Sequence, residues 1–439
     1  MSRLYGGLEE RQSEGEELRM PELEVSFRDA ALACGRQALS KFLSEMPESA
    51  PLCPDCGSPM RNLGSRGKQI VTLLGECEFS RNYYGCDCAS DCSEGRGDNN
   101  HAVPKDEKLG VSGTRFTEAV KRVTAQVASS DSFRDTSANL RMLCGIDVSA
   151  KDAERIAENI GAEIIGIKQC EIAYSEAEMN PPEPETPAKI LYIEYDGTGI
   201  PVRKNELAGI KGKQPDGTAK TREMKTGCIF TQSGTDKEGR PVRDTAGATY
   251  FSQIAAAEDF GRLVYSEAVK RGVDYAENVV VLGDGAKWIW TIAGDYFPSA
   301  TQIIDLYHAK EHVSDLLRAL IPDNGEMQEK KKELYELLEN GNIDELAKSF
   351  SDLSTTTEEQ REKVRVEYNC FIQNKHRMQY QEFSKRDLFV GSGVIEAACK
   401  HVIGKRLKQS GMRWSVSGAN EIAALRCSVL SGDFEPKQT

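Results

Sequence analysis

The sequence predicts an α/β protein, and three observations carry that expectation. Val279-Val280-Val281-Leu282 is an unbroken apolar run enriched in β-branched residues, and it ends on Gly283-Asp284-Gly285. Such a run fits a strand buried on both faces, and strands of that kind belong to parallel sheets covered by helices. A second run, Lys189 to Asp196, likewise ends on an acid beside glycine. Between the two, Phe260 to Arg271 has helical spacing. An acid at the C-terminal edge of a buried strand stands where open α/β sheets place ligands and chemistry. Gly-Asp-Gly is also ordinary turn chemistry, so Asp284 gains meaning only from residues elsewhere.

With 439 residues the chain should form two to four domains. Hydrophobic residues at 39% and charged residues at 28% describe a globular protein. No apolar run approaches the roughly 20 residues that span a bilayer, and no apolar signal core opens the chain, so the expected compartment is the cytoplasm, without a membrane partner. The net charge of -13 argues against coating nucleic acid by bulk charge and leaves local basic surfaces open.

In chain order, residues 1–24 are polar and acidic and are expected to form a disordered tail. Residues 25–108 should hold a packed helix, with a stripe of Phe27, Ala31, Cys34, Ala38 and Phe42, followed by a zinc ribbon. The chain's thirteen cysteines are spread over its length, with a cluster between Cys53 and Cys92. In a long chain without a secretion signal this suggests metal before disulfides. Cys53-Pro54-Asp55-Cys56-Gly57 offers two thiolates from one tight turn, the shape of a zinc knuckle. Gln69–Leu74 and Cys77–Tyr84 read as strands of a hairpin that leads to Cys86 and Cys88. The expected Zn²⁺ ligands are Cys53, Cys56, Cys86 and Cys88, although Cys86, Cys88 and Cys92 form no regular pair and Cys77 and His101 are within reach.

Residues 109–174 are helical by pattern. Phe116, Val120, Val123 and Val127 form one stripe, and Phe133, Leu140 and Leu143 begin another that stops at Gly145. Ser149 with Asp152 resembles a capping box for a helix from Ala150. Helix, glycine turn and capped helix outline a helix-turn-helix, a DNA-binding element that any helical hairpin can imitate. Residues 175–187, with four prolines among glutamates, read as a linker, and residues 188–439 as the catalytic domain.

In that domain, strands are expected at Lys189–Asp196, Glu223–Gln232, Ala246–Ser252, Val279–Leu282 and Ala300–Leu306, with a helix from Ala309 to Leu320. Hairpin-type strands followed by alternating strands and helices match a ribonuclease-H-like core, which would put Asp196 and Asp284 on neighbouring strands. A third acid, Glu396, follows Gly391-Ser392-Gly393 in the first turn of a helix running to about Leu407. By itself it could be an acid favoured by the helix dipole.

Together, Tyr195-Asp196-Gly197, Gly283-Asp284-Gly285-Ala286-Lys287-Trp288-Ile289, Asp305-Leu306-Tyr307-His308 and Gly391-Ser392-Gly393-Val394-Ile395-Glu396 resemble the signature blocks of DDE transposases of the Mutator-like superfamily. Met412-Arg413-Trp414-Ser415 and the following Ala424-Leu425-Arg426 are similar to bacterial ISKra-type insertion-sequence transposases. The resemblance implies a ribonuclease-H-like core with a helical insertion, here about residues 309–388. It implies cleavage and strand transfer at insertion-sequence ends with Mg²⁺ or Mn²⁺, two ions roughly 3.5 to 4 Å apart activating the nucleophile and stabilising the leaving oxygen. Asp196 would bridge the ions, and Asp284 and Glu396 would each hold one. The implied partners are double-stranded DNA, as terminal inverted repeats and target, and further copies of the chain in a homodimer or larger assembly. His308 would lie near the scissile phosphate, although a capping or core histidine fits the same residue. Lys400, Lys405, Arg406, Lys408 and Arg413 offer phosphates a basic strip, and Trp414 a DNA contact. Trp288 and Trp290 are expected in the core. The competing functions are a ribonuclease-H-like nuclease that cuts without joining, and a catalytically idle DNA-binding protein derived from a transposase.

Overall fold

The computed structural model describes residues 19–86, 101–179, 183–212, 214, 217–244, 247–322 and 325–434. It is a mixed α/β structure whose chain divides into two compact units, Met1–Ala157 and Glu158–Glu435. Most of the predicted acidic tail and Cys88 and Cys92 lie outside the described residues.

The first unit opens with α1 (Met20–Glu45). Its first turn takes in the end of the expected tail, because Pro21 gives up no hydrogen bond there and Glu22 suits the helix dipole. The face that packs is not the expected one. Phe27 and Phe42 are exposed, whereas Leu39, Leu43 and Met46 pack on Ile70, Cys77, Phe79 and Val111. Leu39, Leu43 and Met46 join the apolar cluster of the hairpin, and the stripe phenylalanines are left facing solvent.

Next come β1 (Arg61–Thr72) and β2 (Gly75–Gly85), an antiparallel hairpin longer than the expected pair, with β3 (His101–Ala102) alongside β2. Cys77 is buried in the core under α1, which removes it from the candidate ligands. A short helix α2 (Pro104–Lys108) follows, then α3 (Glu118–Ala128) and α4 (Phe133–Asn139), the last extended by a π-helical turn, Leu140–Cys144. Gly145 ends that run with φ of +67°, the left-handed conformation that glycine adopts without a Cβ penalty. Ser149 Oγ accepts the Asp152 N–H at 3.1 Å and donates to its carboxylate at 2.7 Å, capping α5 (Ala150–Glu176). This helix continues well past the expected Ile160 and includes the first residues of the expected linker.

The second unit is built on a five-stranded sheet of order β10-β9-β4-β5-β8. Here β4 is Ile190–Ile200, β5 Arg222–Gln232, β8 Thr249–Gln253, β9 Asn278–Gly283 and β10 Thr301–Ile304. The pairs β4/β5 and β5/β8 are antiparallel, and β4/β9 and β9/β10 are parallel. A ribbon of β6 (Gly234–Thr235) and β7 (Pro241–Val242) lies in the connection between β5 and β8. Leu191, Ile193, Val280, Val281 and Leu282 have no exposed surface, as expected of strands covered on both faces.

One boundary differs in a way that matters. Strand β4 does not stop at Asp196 but continues through Gly197-Thr198-Gly199 to Ile200 on β5, whereas its pairing with β9 ends at Glu194. Asp196 is therefore inside a strand on one side and at an open edge on the other.

The sheet is followed or interrupted by α6 (Ala257–Lys270), α7 (Lys287–Tyr296) and α8 (Leu306–Leu320). Helix α8 begins three residues before the expected Ala309, since Asp305 caps it and draws His308 into the first turn. Helices α9 (Gly325–Glu339), α10 (Ile343–Ser351), α11 (Glu358–Asn374) and α12 (Tyr380–Lys385) fill the stretch expected to be a helical insertion. Then α13 (Gly393–Ala398) passes through a π-helical segment, Cys399–Gly404, into α14 (Lys405–Leu407), and α15 (Val416–Ser431) closes the unit. Among the described residues no helix is long and apolar enough to cross a membrane.

Candidate active site

Four sequence-predicted residues, Asp196, Asp284, Glu396 and His308, border one cavity of about 170 Å³, joined by Asp305 and Glu311. They come from β4, the end of β9, the first turn of α13 and the first turn of α8. Parallel pairing of β4 with β9 up to Glu194 and Leu282 brings Asp196 and Asp284 to the same sheet edge.

Each aspartate is held by a local turn. Asp196 Oδ1 accepts the Gly197 N–H at 2.6 Å, and its Oδ2 faces the Cys399 thiol at 3.7 Å. Asp284 Oδ1 accepts the Ala286 N–H at 2.9 Å across Gly285, whose φ of +97° permits the turn. Burial raises Asp196 above the usual carboxylate range against the pull of the Gly197 N–H, and the Asp284 carboxylate adds to the rise. Glu396 is exposed on the cavity wall.

The acids form an all-oxygen donor set, the kind that hard divalent cations such as Mg²⁺ prefer, and their mutual repulsion is what a cation would relieve. They border the cavity without converging: among the described residues, the group whose three ligand atoms come within 4.8 Å of one another is Cys53, Cys56 and Cys86.

His308 also borders a second cavity of about 260 Å³, with Asp284, His312, Cys370, Phe371 and Met378 among its walls. His308 Nε2 lies 3.2 Å from His312 Nε2, and His312 Nδ1 lies 2.9 Å from the buried Glu367 carboxylate of α11. That hydrogen bond, against the effect of burial, raises His312 above its ordinary value. Sequence reasoning missed His312 and Glu367. The spacing of His308 and His312, one turn apart on a helix, was the available signal.

The basic strip divides. Lys400, Lys405, Lys408 and Arg413 are exposed, and Lys408 Nζ donates to Thr198 Oγ1 at 2.5 Å, two residues from Asp196. Arg406 is fully buried, with its guanidinium over the Trp414 ring, so it is not a surface phosphate contact. Trp414 is corrected as well. It is buried, its indole N–H donates to the Leu407 carbonyl at 3.0 Å, and its backbone bridges Val202. The apolar ring finds its lowest free energy in the core, which a loop rich in charge did not suggest. Trp290 is buried and Trp288 stands against Tyr195 and Phe260, as expected of core residues.

In the first unit, the Cys53 to Gly57 turn closes with Gly57 N–H on the Cys53 carbonyl, and β2 delivers Cys86 to it. Cys56 and Cys86 sulfurs are 3.6 Å apart, close to the spacing set by Zn–S bonds of about 2.3 Å in a tetrahedron. Backbone N–H groups of Cys56 and Asp55 pull the Cys53 thiol below its ordinary range, favouring the thiolate that binds metal. The three cysteines can bind a metal such as zinc. His101 is exposed on β3 and is not part of the group.

Curated relatives include a UPF0236 protein in the vanSb 3'region of Streptococcus gallolyticus, 25% identical over 379 residues, spanning 84% of this chain and 74% of that protein. A UPF0236 protein of Caldanaerobacter subterraneus subsp. tengcongensis is 21% identical over 378 residues, spanning 83% and 68%. Among solved structures, the Drosophila P element transposase strand transfer complex aligns at a TM-score of 0.27 and 8% identity, over 75% of this chain and 83% of that one. A family model described as uncharacterised protein family UPF0236 matches residues 14–436, and the chain belongs to that family.

Proposed function

We propose that this protein is a DDE-type DNA transposase that binds the ends of an insertion sequence and carries out metal-dependent strand cleavage and transfer. The observation that carries the reading is the meeting of Asp196, Asp284 and Glu396, from three separate elements, on one cavity with His308. The sheet order β10-β9-β4-β5-β8, antiparallel on one side of β4 and parallel on the other, supports reading the second unit as a ribonuclease-H-like core. Each of the four blocks that resemble Mutator-like transposases contributes residues to the walls of this cavity.

Bound by these carboxylates, Mg²⁺ or Mn²⁺ would supply Lewis-acid stabilisation of the phosphoryl oxygens and lower the pKa of the attacking water. Asp196, Asp284 and Glu396 would hold the metal. The chain's own residues do the rest. His308 is held by its hydrogen bonds to the Asp305 cap and to His312 and presents an imidazole to the cavity, where it can hold a proton near the reacting phosphate. Lys400, Lys405, Lys408 and Arg413 offer phosphates a sequence-independent purchase.

With Mg²⁺ and DNA carrying the ends that flank its own coding region, the purified protein should cleave and join strands. Asp284→Asn should lower both steps by about a thousandfold or more, because several kcal/mol of transition-state stabilisation depend on the metal. DNA binding should persist. Undiminished strand transfer by this variant would sink the assignment.

A further inference from the structure

We propose that two buried carboxylates outside the metal-binding set, Glu194 and Asp305, are positioning residues that hold the Glu396 turn in register with the strands carrying Asp196 and Asp284. The proposal rests on reading those three acids as metal ligands, and it concerns how a site built from distant segments keeps its spacing.

A helix leaves its first N–H groups without intrahelical acceptors, and a capping side chain ordinarily supplies them. Helix α13 has no such cap, since the Ser392 side chain makes no hydrogen bond to it. Its N-terminal amides are instead taken by acids from two other elements. Asp305 Oδ2 accepts the Ser392 N–H, and Glu194 Oε2 accepts the Ile395 N–H at 2.9 Å. The second contact is on the residue next to Glu396.

Both acids are tied to the strands that matter. Glu194 lies on β4 two residues before Asp196, so the two share a face of the sheet. Asp305 donates its own N–H to the Gly283 carbonyl at 2.9 Å, beside Asp284, and its Oδ1 accepts the His308 N–H at 2.6 Å. One residue thus joins three segments: its backbone N–H holds the end of β9, and its carboxylate holds the first turn of α8 and the loop before α13. That loop is also drawn close: Leu306 N–H donates to the Val390 carbonyl at 2.9 Å, and a Cβ on Gly391 would meet the Tyr307 ring at 3.1 Å.

Burial makes these acids costly. Glu194 has no exposed surface and Asp305 has 1%. Isolated in the interior, a carboxyl loses hydration that only specific hydrogen bonds offset. An apolar residue would fill the Glu194 site at lower cost, but it would leave the Ile395 N–H buried without that acceptor.

The test uses the full-length protein without DNA. Hydrogen exchange across residues 391–398 and Mn²⁺ affinity are measured for Glu194→Gln, Glu194→Leu, Asp305→Asn and Asp305→Ala, with exchange in β5 as the control for global stability. Glu194→Leu and Asp305→Ala should speed exchange in 391–398 while β5 stays protected, and should weaken Mn²⁺ binding about tenfold to a hundredfold. Glu194→Gln keeps the acceptor for the Ile395 N–H and should stay near wild type, whereas Asp305→Asn keeps one of two acceptors and should fall between wild type and Asp305→Ala. Unchanged exchange and Mn²⁺ affinity in the apolar variants would overturn the proposal, as would Glu194→Gln doing the same damage as Glu194→Leu. Asp284→Asn separates the two ideas: if it leaves Mn²⁺ affinity intact, the metal-ligand reading fails, while the exchange data still decide whether the acids hold the turn.

Discussion

In the N-terminal unit, two of three clustered sulfurs come from a single turn, Cys53 to Cys56, and the third from the end of a strand. In the larger unit the clustered acids come from β4, β9 and α13, with long stretches of chain between them. The thiols meet because a short peptide has little choice. The acids border one cavity because a complete sheet has formed and buried acids hold the start of α13 against it. The two apolar foundations differ as well. Around the thiols the buried clusters are small, Cys53, Met60 and Tyr84 in one and Leu43, Ile70, Cys77, Phe79 and Val111 in another. Cores of that size commonly need a staple. The five-stranded sheet has a continuous core of its own.

The largest expected effect tests whether the thiols depend on metal for more than chemistry. Removing zinc with a chelator, or Cys56→Ser, should open the β1–β2 hairpin to hydrogen exchange and leave β4 and β9 protected, because structural zinc contributes about 10 kcal/mol to such modules. An unaltered hairpin in the metal-free protein would erase the contrast between the two units.

Next, Trp414→Ala should cost about 3–5 kcal/mol in urea unfolding, as expected for a buried aromatic side chain. Its effect on DNA affinity, measured where the protein is still folded, should be small. A large loss of affinity at unchanged stability would return this residue to the DNA surface.

A smaller effect belongs to the exposed lysines. Lys405→Ala and Lys408→Ala should each lower the salt dependence of DNA binding by about one phosphate contact. Arg406→Ala, although next to Lys405 in sequence, should lower stability instead, because its guanidinium is buried over Trp414. Equal behaviour of the three would mean that burial does not sort this strip.

The smallest expected effect is a pH slope. Glu367 raises His312 above its ordinary value, so the folded state holds a proton that the unfolded state releases first. The resulting stabilisation is fully present below about pH 6.5, the unfolded value, and is lost as pH rises through the folded value. Melting of the metal-free protein should shift to lower temperature over that interval, and His312→Asn should flatten the shift.

Much of this was legible in the sequence. Continuous apolar runs marked β4 and β9, a CxxC turn marked the thiol group, and acids beside or shortly after glycines marked Asp196, Asp284 and Glu396, which border one cavity. Those signals are local, because strand periodicity, turn geometry and ligand spacing are properties of a few adjacent residues. The sequence could not say which face of α1 would be buried, that Arg406 and Trp414 would turn inward, or that β4 would run on past Asp196. Nor could it single out Glu194 and Asp305. An acid two residues before a candidate ligand, or one capping a helix, has no special pattern. Their importance arises only when Ile395 and Ser392, far along the chain, arrive with amides that have no local acceptor. Which residues can form a strand, turn or ligand pair is set by neighbours in sequence; which buried polar groups must find each other is set by the packed fold, where every unsatisfied amide and carboxyl carries a cost.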